Sequence, residues 1–180
     1  MKLKVFILEN NPVKRTRHSM VQHAVKEYLE NPKAKVVYDE KGKPTVEGVD
    51  GKWHISVTTT GAVMLVALAD CPIGIDGEYL PRFEAPDNKI DYSALAERFF
   101  SEEEADYVRD AGDSTERFVR VWTRKEAYVK CAGKTLADFP NFSVVDGERL
   151  APKVHGVTLK KFGINFPGSN EYLFVIAGVE

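Results

Sequence analysis

Two groups of side chains have the types and spacing that metal or phosphate chemistry would need. The first is Asp76 with Glu78, two carboxylates at alternate positions of a segment that also contains Ile73 and Ile75. On a β-strand such residues share one face about 6.6 Å apart, close enough to share a magnesium ion with its waters. An isolated Asp-x-Glu pattern is short and frequent, however, and taken alone it favours a solvent-facing acidic strand end.

The second group is Glu126 with Lys130, four residues apart in the stretch from Trp122 to Lys130. Four residues are close to one helical turn, so Trp122, Glu126 and Lys130 are predicted to form a stripe on one helix face. Taken alone, this pair favours an ordinary exposed ion pair, which stabilises a helix by about 0.2–0.5 kcal/mol. A catalytic role for Glu126 and Lys130 therefore requires that the fold bring them close to Asp76 and Glu78.

The elements that carry these residues follow from apolar periodicity and capping signals. Asp113 with Glu116 is a capping pair and Gly133 is a natural stop, which predicts a helix between them that carries Glu126 and Lys130. Ser101 with Glu104 forms a second capping box. The other predicted helices are 13–29, 91–100 and 101–108, and the predicted strands are 3–7, 36–38, 53–57, 61–69, 71–80, 141–145, 154–162 and 172–177.

The fold class predicted from this pattern is α+β with two halves. The polar, proline-containing connection 81–88 is the best candidate for an internal boundary. It divides the chain into an N-terminal half, 1–85, with the Asp-x-Glu strand, and a C-terminal half, 86–180, with the helix of Glu126 and the final sheet. Gly77 inside the Asp-x-Glu strand predicts a bulge that would change how the two carboxylates are aimed.

Composition excludes several other classes of protein. Cys71 and Cys131 belong to no CxxC pair, which excludes zinc and haem spacings and favours a reduced, intracellular setting. A net charge of −2 argues against nucleic acid as the main partner. The first eight residues are too short an apolar segment for a signal peptide, and the chain has no apolar run near the roughly 18 residues of a membrane span. We therefore expect a soluble, cytoplasmic protein that does not enter a membrane.

Together these pieces resemble the 4′-phosphopantetheinyl transferases, and most closely the single-chain surfactin-type branch. The resemblance covers roughly residues 13–145 and rests on five motifs in the family's order. They are Gly42-Lys43-Pro44, Ile55-Ser56, Gly74-Ile75-Asp76-Gly77-Glu78, Phe99-Phe100-Ser101 through Glu104, and Trp122 through Lys130 followed by Gly133. The resemblance implies two similar α/β halves, a pseudo-dimer within one chain, with antiparallel sheets and a cleft between them.

The resemblance also implies an activity of the holo-acyl-carrier-protein synthase type. Family members move the phosphopantetheine arm of coenzyme A, their co-substrate, onto a serine of an apo acyl or peptidyl carrier protein and release 3′,5′-ADP. A magnesium ion that bridges the two phosphates suits this reaction, because phosphoryl transfer needs charge neutralisation and in-line positioning. Two halves in one chain further imply a monomer.

Site residues follow from the same resemblance, motif by motif. Asp76, Glu78 and Glu126 would hold the magnesium ion. Glu126, or a water on the metal, would take the serine proton, and Lys130 would steady or protonate the leaving phosphate. Glu104 would orient the attacking serine or a metal-bound water, with its capping role as an equal alternative.

Coenzyme A is expected at the remaining motifs. Lys43 and Pro44 of the turn would lie against its nucleotide, and Ser56 and Lys130 against its phosphates. The family usually has Ser-His where this chain has Ser56-Val57, and Lys52, His54 and Thr58 are nearby candidates to replace that histidine. This departure and Gly77 motivate an alternative function, a non-catalytic module that binds coenzyme A or a carrier protein. A third possibility is another magnesium-dependent phosphate enzyme on the same scaffold.

Overall fold

The computed structural model describes residues 2–109 and 112–178. Its first sheet contains β1 (Leu3–Glu9), β4 (His54–Thr60) and β5 (Val63–Ala69), in the order β1-β5-β4. All seven residues of β5 are buried, as expected for a continuous apolar segment in the centre of a sheet. Helix α1 (Lys14–Leu29) packs Val21 and Val25 against one face of this sheet. A hairpin of β2 (Lys35–Tyr38) and β3 (Pro44–Glu47) contacts α1 through β2 and strand β4 through β3.

The second sheet contains four strands in the order β6-β11-β10-β9. They are β6 (Ile73–Tyr79), β9 (Lys153–Val154), β10 (Val157–Phe162) and β11 (Tyr172–Gly178). Three helices accompany them, namely α2 (Tyr92–Phe99), α3 (Glu102–Arg109) and α4 (Ser114–Ala132). A small separate hairpin pairs β7 (Val145–Asp146) with β8 (Arg149–Leu150). The ladders in both sheets are antiparallel, which confirms the predicted mixed fold with antiparallel sheets.

The structure corrects the predicted placement of the Asp-x-Glu strand. We expected it in the half that spans 1–85, but β6 forms its ladder with β11, from Tyr79 opposite Tyr172 to Ile73 opposite Gly178. The strand therefore belongs to the second sheet. A strand's pairing partner is set by contacts distant in sequence, and β6 also packs against β4 and β5 of the first sheet. The polar connection as an internal boundary stays a prediction.

The predicted bulge at Gly77 is also wrong, because the β6–β11 register is continuous through this residue. The packing of Phe174 against β6 explains why a glycine stands at position 77. A Cβ atom on Gly77 would lie 2.6 Å from the Phe174 ring, so the aromatic side chain fills the space that a larger residue would need. Asp76 and Glu78 thus keep the regular alternation of a strand.

Helix α4 has the caps that the sequence predicts. The Asp113 carboxylate accepts a hydrogen bond from the Glu116 amide at 3.0 Å, and Gly133 ends the helix with a φ of 69°. The predicted strand 141–145 is wrong for the most part. Residues Leu136–Asn141 form a 3-10 turn that a Thr135–Asp138 capping box starts, and only Val145 enters a strand.

Gly74 allows α4 to lie very close to β6. A Cβ atom at this position would be 2.0 Å from the Ala127 carbonyl oxygen and 2.6 Å from the Cys131 amide nitrogen. Both neighbours are backbone atoms of α4, which cannot move aside as a flexible side chain would. The absence of a side chain at Gly74 therefore sets the distance between the strand that carries Asp76 and the helix that carries Glu126.

We expect Gly74→Ala to lower the free energy of unfolding by about 3 kcal/mol, because it overpacks a buried helix–strand contact. Urea unfolding would measure the change. Gly163→Ala is the matched control, since nothing lies within 4 Å of its added Cβ. Equal stability of the two variants would contradict this account of the contact.

Within the described residues, no helix is long and apolar enough to cross a membrane.

Candidate active site

Asp76 and Glu78 lie on β6 where this strand faces β4 of the other sheet. Alternate hydroxyl side chains of β4 connect the two strands. Ser56 Oγ accepts from the Ile75 amide at 3.0 Å, Thr60 Oγ1 accepts from the Tyr79 amide at 2.7 Å, and Thr58 Oγ1 donates to Asp76 Oδ1 at 3.0 Å. Ser56 and Thr60 satisfy backbone amides of β6 that would otherwise be unpaired at a sheet edge, and Thr58 fixes the Asp76 carboxylate. The carboxylates are consequently held between two sheets.

Lys130 of α4 reaches the same place. Its Nζ donates to Asp76 Oδ1 at 2.7 Å and to the Ile75 carbonyl oxygen at 3.2 Å. Glu126, one turn earlier, has a carboxylate oxygen 3.9 Å from the same Nζ. The two groups that the sequence analysis singled out therefore meet across the α4–β6 contact, in what we call the carboxylate cluster: Asp76, Glu78, Glu126 and Lys130.

The electrostatics of the carboxylate cluster show an excess of negative charge in a buried place. Burial, with the neighbouring Asp76 carboxylate, raises the pKa of Glu78 to about 7, although Arg82 opposes the shift. Burial also raises the pKa of Glu126, which Lys130 opposes and Asp76 reinforces. Lys130 and Arg82 are two positive charges beside three carboxylates, so the cluster would gain from a further positive charge.

One atom of the carboxylate cluster lacks a partner. Asp76 Oδ2 is buried and accepts no hydrogen bond. A buried polar atom without a partner costs free energy, and a carboxylate oxygen is the kind of ligand that magnesium prefers. The donor chemistry thus fits a hard divalent cation, while across residues 2–109 and 112–178 no three acidic, histidine or cysteine side chains converge as a ready metal-binding group.

The pKa of Glu78 predicts how stability depends on pH. Its pKa is near 4.5 when unfolded and about 7 when folded, so the folded state of the metal-free protein is disfavoured progressively as pH rises through this interval. We expect Glu78→Gln to raise the free energy of unfolding at pH 8 by roughly 1–3 kcal/mol, and by much less at pH 5. Urea unfolding in a chelator at both values tests this, and an effect independent of pH would refute the shift.

Arg82 is a site residue that the sequence analysis missed. Its guanidinium lies 2.7 Å from a Glu78 carboxylate oxygen. The Glu78-to-Arg82 spacing of four residues was a usable signal, but the polar connection that contains Arg82 was interpreted as a boundary. Arg82 also borders an apolar groove of about 350 Å³, whose walls include Phe83, Ile90 and Trp122.

On the Lys130 side, the carboxylate cluster adjoins two cavities, which we call the lysine-lined cavities. The smaller has a volume of about 220 Å³ and the larger about 350 Å³, and both border Lys43, Pro44, Ile55 and Lys130. The four residues expected at coenzyme A, Lys43, Pro44, Ser56 and Lys130, thus all border the smaller cavity. The Ser56 hydroxyl, which borders the smaller cavity, already accepts the Ile75 amide hydrogen. Val57 packs with the apolar core of the first sheet.

Glu104 makes its ion pair and its hydrogen bonds with residues outside the carboxylate cluster. Its side chain is fully buried, 2.5 Å from Lys125 Nζ, and accepts from the amides of Ser101 and Val144. The Glu104 amide in turn bonds Ser101 Oγ, which confirms the predicted capping box. Lys125 Nζ also donates to the Phe142 carbonyl oxygen at 2.6 Å. With these bonds made, Glu104 holds α3 to α4 and touches none of the reacting positions proposed below.

Comparisons with known proteins match this chain to one family. The family model of the 4′-phosphopantetheinyl transferase superfamily matches residues 72–173, from β6 to β11. The chain is 28% identical over 122 residues to 4′-phosphopantetheinyl transferase psf-1 of Bacillus pumilus, which is 66% of this chain and 48% of the relative. It is 31% identical over 108 residues to 4′-phosphopantetheinyl transferase Sfp of Bacillus subtilis strain 168, which is 58% of this chain and 44% of the relative.

A third relative is 4′-phosphopantetheinyl transferase gsp of Aneurinibacillus migulanus, at 30% identity over 100 residues, 54% of this chain and 38% of the relative. The matches therefore span about half or less of the relatives' own length. The family model covers more than half of this chain and includes every member of the carboxylate cluster. The chain belongs to the 4′-phosphopantetheinyl transferase superfamily.

Proposed function

We propose that this protein transfers the 4′-phosphopantetheine moiety of coenzyme A to a serine of an apo acyl or peptidyl carrier protein, with release of 3′,5′-ADP. The observation that carries the proposal is the buried carboxylate cluster beside the lysine-lined cavities, in a chain of this family. Lysines recognise phosphates as point charges, and the carboxylates supply ligands for a metal.

Asp76, Glu78 and Glu126 would hold a magnesium ion, with the unpartnered Asp76 Oδ2 as the first ligand. Such an ion supplies charge neutralisation on the two phosphates of coenzyme A. The site belongs, on this proposal, to a cleft between two similar halves of a monomer. Nothing in the described residues competes for Asp76 Oδ2, which is why this oxygen is the preferred anchor.

The protein's own residues account for the proton and the leaving group. The serine hydroxyl attacks the phosphorus that carries the pantetheine arm, and the bond from that phosphorus to the 5′-phosphate oxygen of 3′,5′-ADP breaks. Glu126 takes the serine proton, because its carboxylate lies in the carboxylate cluster, one helical turn before Lys130. Lys130 Nζ, already beside Asp76, offsets the charge on the departing phosphate.

The surroundings of the carboxylate cluster favour two different ligands on its two sides. An anionic ligand fits the lysine-lined cavities on the Lys130 side. An apolar protein surface fits the groove on the Arg82 side, where Ile90 is 54% exposed. In-line phosphoryl transfer needs the nucleophile and the leaving group on opposite sides of the phosphorus, so we assign the groove to the carrier protein.

We expect Ile90→Asp to raise the KM for the carrier protein about tenfold and to leave the KM for coenzyme A unchanged, because a charge enters an apolar contact. Steady-state kinetics with each substrate varied would separate the two constants. Leu3→Asp on β1 is the control, since Leu3 is an exposed apolar residue outside the groove. If Ile90→Asp and Leu3→Asp changed the KM for the carrier protein equally, the groove would be rejected as the carrier-binding site.

The proposal is tested by incubating the protein with coenzyme A, magnesium and a panel of apo carrier proteins. Intact-mass spectrometry should show addition of phosphopantetheine to at least one carrier, and no addition when its serine is replaced by alanine. Failure across a broad panel would reject transferase activity. Binding of coenzyme A by calorimetry without any product would instead support the alternative, a non-catalytic module. The β6 register is continuous through Gly77, which supports the proposal over that alternative.

A further inference from the structure

A cavity beside α4 takes no part in the proposed reaction. It has a volume of about 190 Å³ and lies between α4, β8, β10 and β11. Three basic and three apolar side chains line it, namely Arg120, Arg124, Lys161, Leu150, Leu173 and Val175. No aspartate or glutamate of the described residues borders it. We call it the arginine cavity, and its lining combines positive charge with apolar surface.

Helix geometry separates the arginine cavity from the carboxylate cluster. An α-helix turns by about 100° per residue, so Arg120 and Arg124 point about 120–160° around α4 from Glu126. On the sheet below, Val175 of the cavity stands directly opposite Asp76 of the cluster in the β6–β11 ladder. The helix therefore lies between two places, with the cluster on its β6 side and the arginine cavity on its β10 and β11 side.

Arg124 is the fixed cation of the arginine cavity. Its Nη1 donates to the Ala151 carbonyl oxygen at 3.0 Å and to the Leu159 carbonyl oxygen at 3.4 Å. Its Nε and Nη2 donate to no other described residue, and neither atom is fully buried. A guanidinium has five N–H donors in a planar fork. Arg124 therefore has a fixed orientation and still offers unused donors to a ligand.

The charges around the arginine cavity favour an anion. Arg124 and Lys161 lie beyond ion-pair distance of every carboxylate in residues 2–109 and 112–178, whereas Arg120 has Glu116 one turn earlier. Burial lowers the pKa of Arg124, and only the nearby Tyr107 opposes this shift. Partly buried charges in proteins are normally paired. A bound anion would supply the counter-charge that Arg124 and Lys161 lack.

The sheet side of the arginine cavity is apolar. Leu173 and Val175 are buried, and Leu150 packs against the same core. Lys161 stands opposite Val175 in the β10–β11 ladder, so its side chain leaves the sheet on this same face. The volume corresponds to roughly six water molecules at about 30 Å³ each. A small ligand with an anionic group and a short hydrocarbon chain fits both the charge and the size.

We propose that the arginine cavity binds a small aliphatic carboxylate, at a site separate from the carboxylate cluster. Its oxygens accept hydrogen bonds from Nε and Nη2 of Arg124, since a carboxylate matches the guanidinium fork in a bidentate manner. Arg120 and Lys161 add positive charge. The hydrocarbon chain covers Leu173 and Val175, which favours this ligand over an inorganic anion. The inference goes beyond the proposed function, and no step of the phosphoryl transfer depends on it.

The test is a titration with hexanoate, followed through the backbone amide signals in NMR spectra, which also locates the ligand. We expect saturable shifts at millimolar concentrations for amides of Leu150, Lys161 and Val175. Hexanamide keeps the chain and loses the charge, and it should bind about tenfold more weakly. Inorganic phosphate keeps a charge and loses the chain, and it should bind about fivefold more weakly.

Variants of the three cations test the contacts. Arg120→Met and Lys161→Met should each weaken hexanoate binding about threefold, and Arg124→Lys, which keeps the charge and loses the fork, about fivefold. Lys160→Met is the matched control and should keep the wild-type affinity, since Lys160 is the exposed neighbour on the opposite face of β10. Arg120 and Lys161 have exposed side chains, so the test does not depend on the folding of Arg124→Lys.

Equal affinity for hexanoate and hexanamide would overturn the carboxylate site, and so would unchanged hexanoate affinity in both Arg120→Met and Lys161→Met. Shifts confined to the apolar groove beside Arg82 would also overturn it, because they would place the ligand on the other side of the molecule's helix α4. Phosphate binding as tight as that of hexanoate would reject an aliphatic carboxylate as the ligand. The carrier-loading assay succeeds or fails independently of these titrations.

Discussion

Replacing Asp76 by asparagine should lower kcat/KM for carrier loading by about 10²–10³-fold, because several kcal/mol of charge stabilisation on the phosphates depend on this carboxylate. The substitution keeps the shape of the side chain and leaves an oxygen or nitrogen to meet Thr58 Oγ1, 3.0 Å away. It removes the negative charge at the unpartnered Oδ2 and the counter-charge of Lys130. Steady-state kinetics with coenzyme A and a loaded carrier as product would measure the change.

The Asp76→Asn protein should remain folded, since β6 keeps its ladder with β11 and Asp76 belongs to a group of like charges that repel one another. Circular dichroism and urea unfolding provide this control. Asp106→Asn, an exposed carboxylate on α3 paired with Arg109, is the matched variant with an expected rate near that of the wild type. A kcat/KM within about twofold of wild type in Asp76→Asn would refute the assigned role of the carboxylate cluster, as a twofold change corresponds to under 1 kcal/mol.

The second large effect concerns stability. Lys125→Met should lower the free energy of unfolding by about 3–5 kcal/mol, because it leaves the Glu104 carboxylate buried without its charge partner. Both side chains are fully buried, at 0% exposure, and the three rings of Phe100, Phe139 and Phe142 surround the ammonium. Burial lowers the pKa of Lys125, and the contact with Glu104 opposes this shift. Urea unfolding measures the loss.

A double variant separates charge from packing. Glu104→Gln in the Lys125→Met background removes the unpaired charge and keeps an amide oxygen for the Val144 amide, which now bonds Glu104 Oε1 at 2.8 Å. We expect the double variant to be more stable than Lys125→Met alone. Arg120→Met is the control on the same helix. It breaks an exposed ion pair with Glu116 and should cost under about 1 kcal/mol. Equal losses in Lys125→Met and Arg120→Met would contradict the account.

Local signals in the sequence predicted the helix of Glu126 and Lys130 well. Its caps at Asp113 and Gly133, and the stripe that joins Glu126 to Lys130, depend on residues close together in the chain. The predicted Asp-x-Glu strand likewise has Asp76 and Glu78 in regular alternation. These features could be inferred because helix and strand periods alone determine them.

Features that depend on pairing distant segments could not be inferred in this way. The ladder between β6 and β11 joins Asp76 to Val175 across most of the C-terminal part of the chain, so local patterns did not indicate that β6 pairs in the second sheet. Lys125 stands between Arg124 and Glu126 in a charged stretch, and nothing local distinguishes it as fully buried. Lysine is almost never fully buried unless paired, and its partner Glu104 lies 21 residues earlier.

Gly74 illustrates a third kind of limit. The motif containing it was recognised, but its physical role depends on the position of the Ala127 carbonyl oxygen on a different element. Sequence patterns indicate that a glycine stands at a certain place and do not identify the neighbour that requires it. The same holds for Gly77, whose space is filled by Phe174 from β11.

On the proposed function, the carboxylate cluster transfers phosphopantetheine from coenzyme A to a carrier serine. The most direct measurement quantifies two products in one reaction, the phosphopantetheine-bearing carrier by intact mass and the released nucleotide by chromatography. We predict 3′,5′-ADP and modified carrier in equal amounts with the wild-type protein, and about 10²–10³-fold slower formation of both products with Asp76→Asn. Release of free phosphate with no mass gain on any carrier would contradict the account and favour another phosphate reaction at this site.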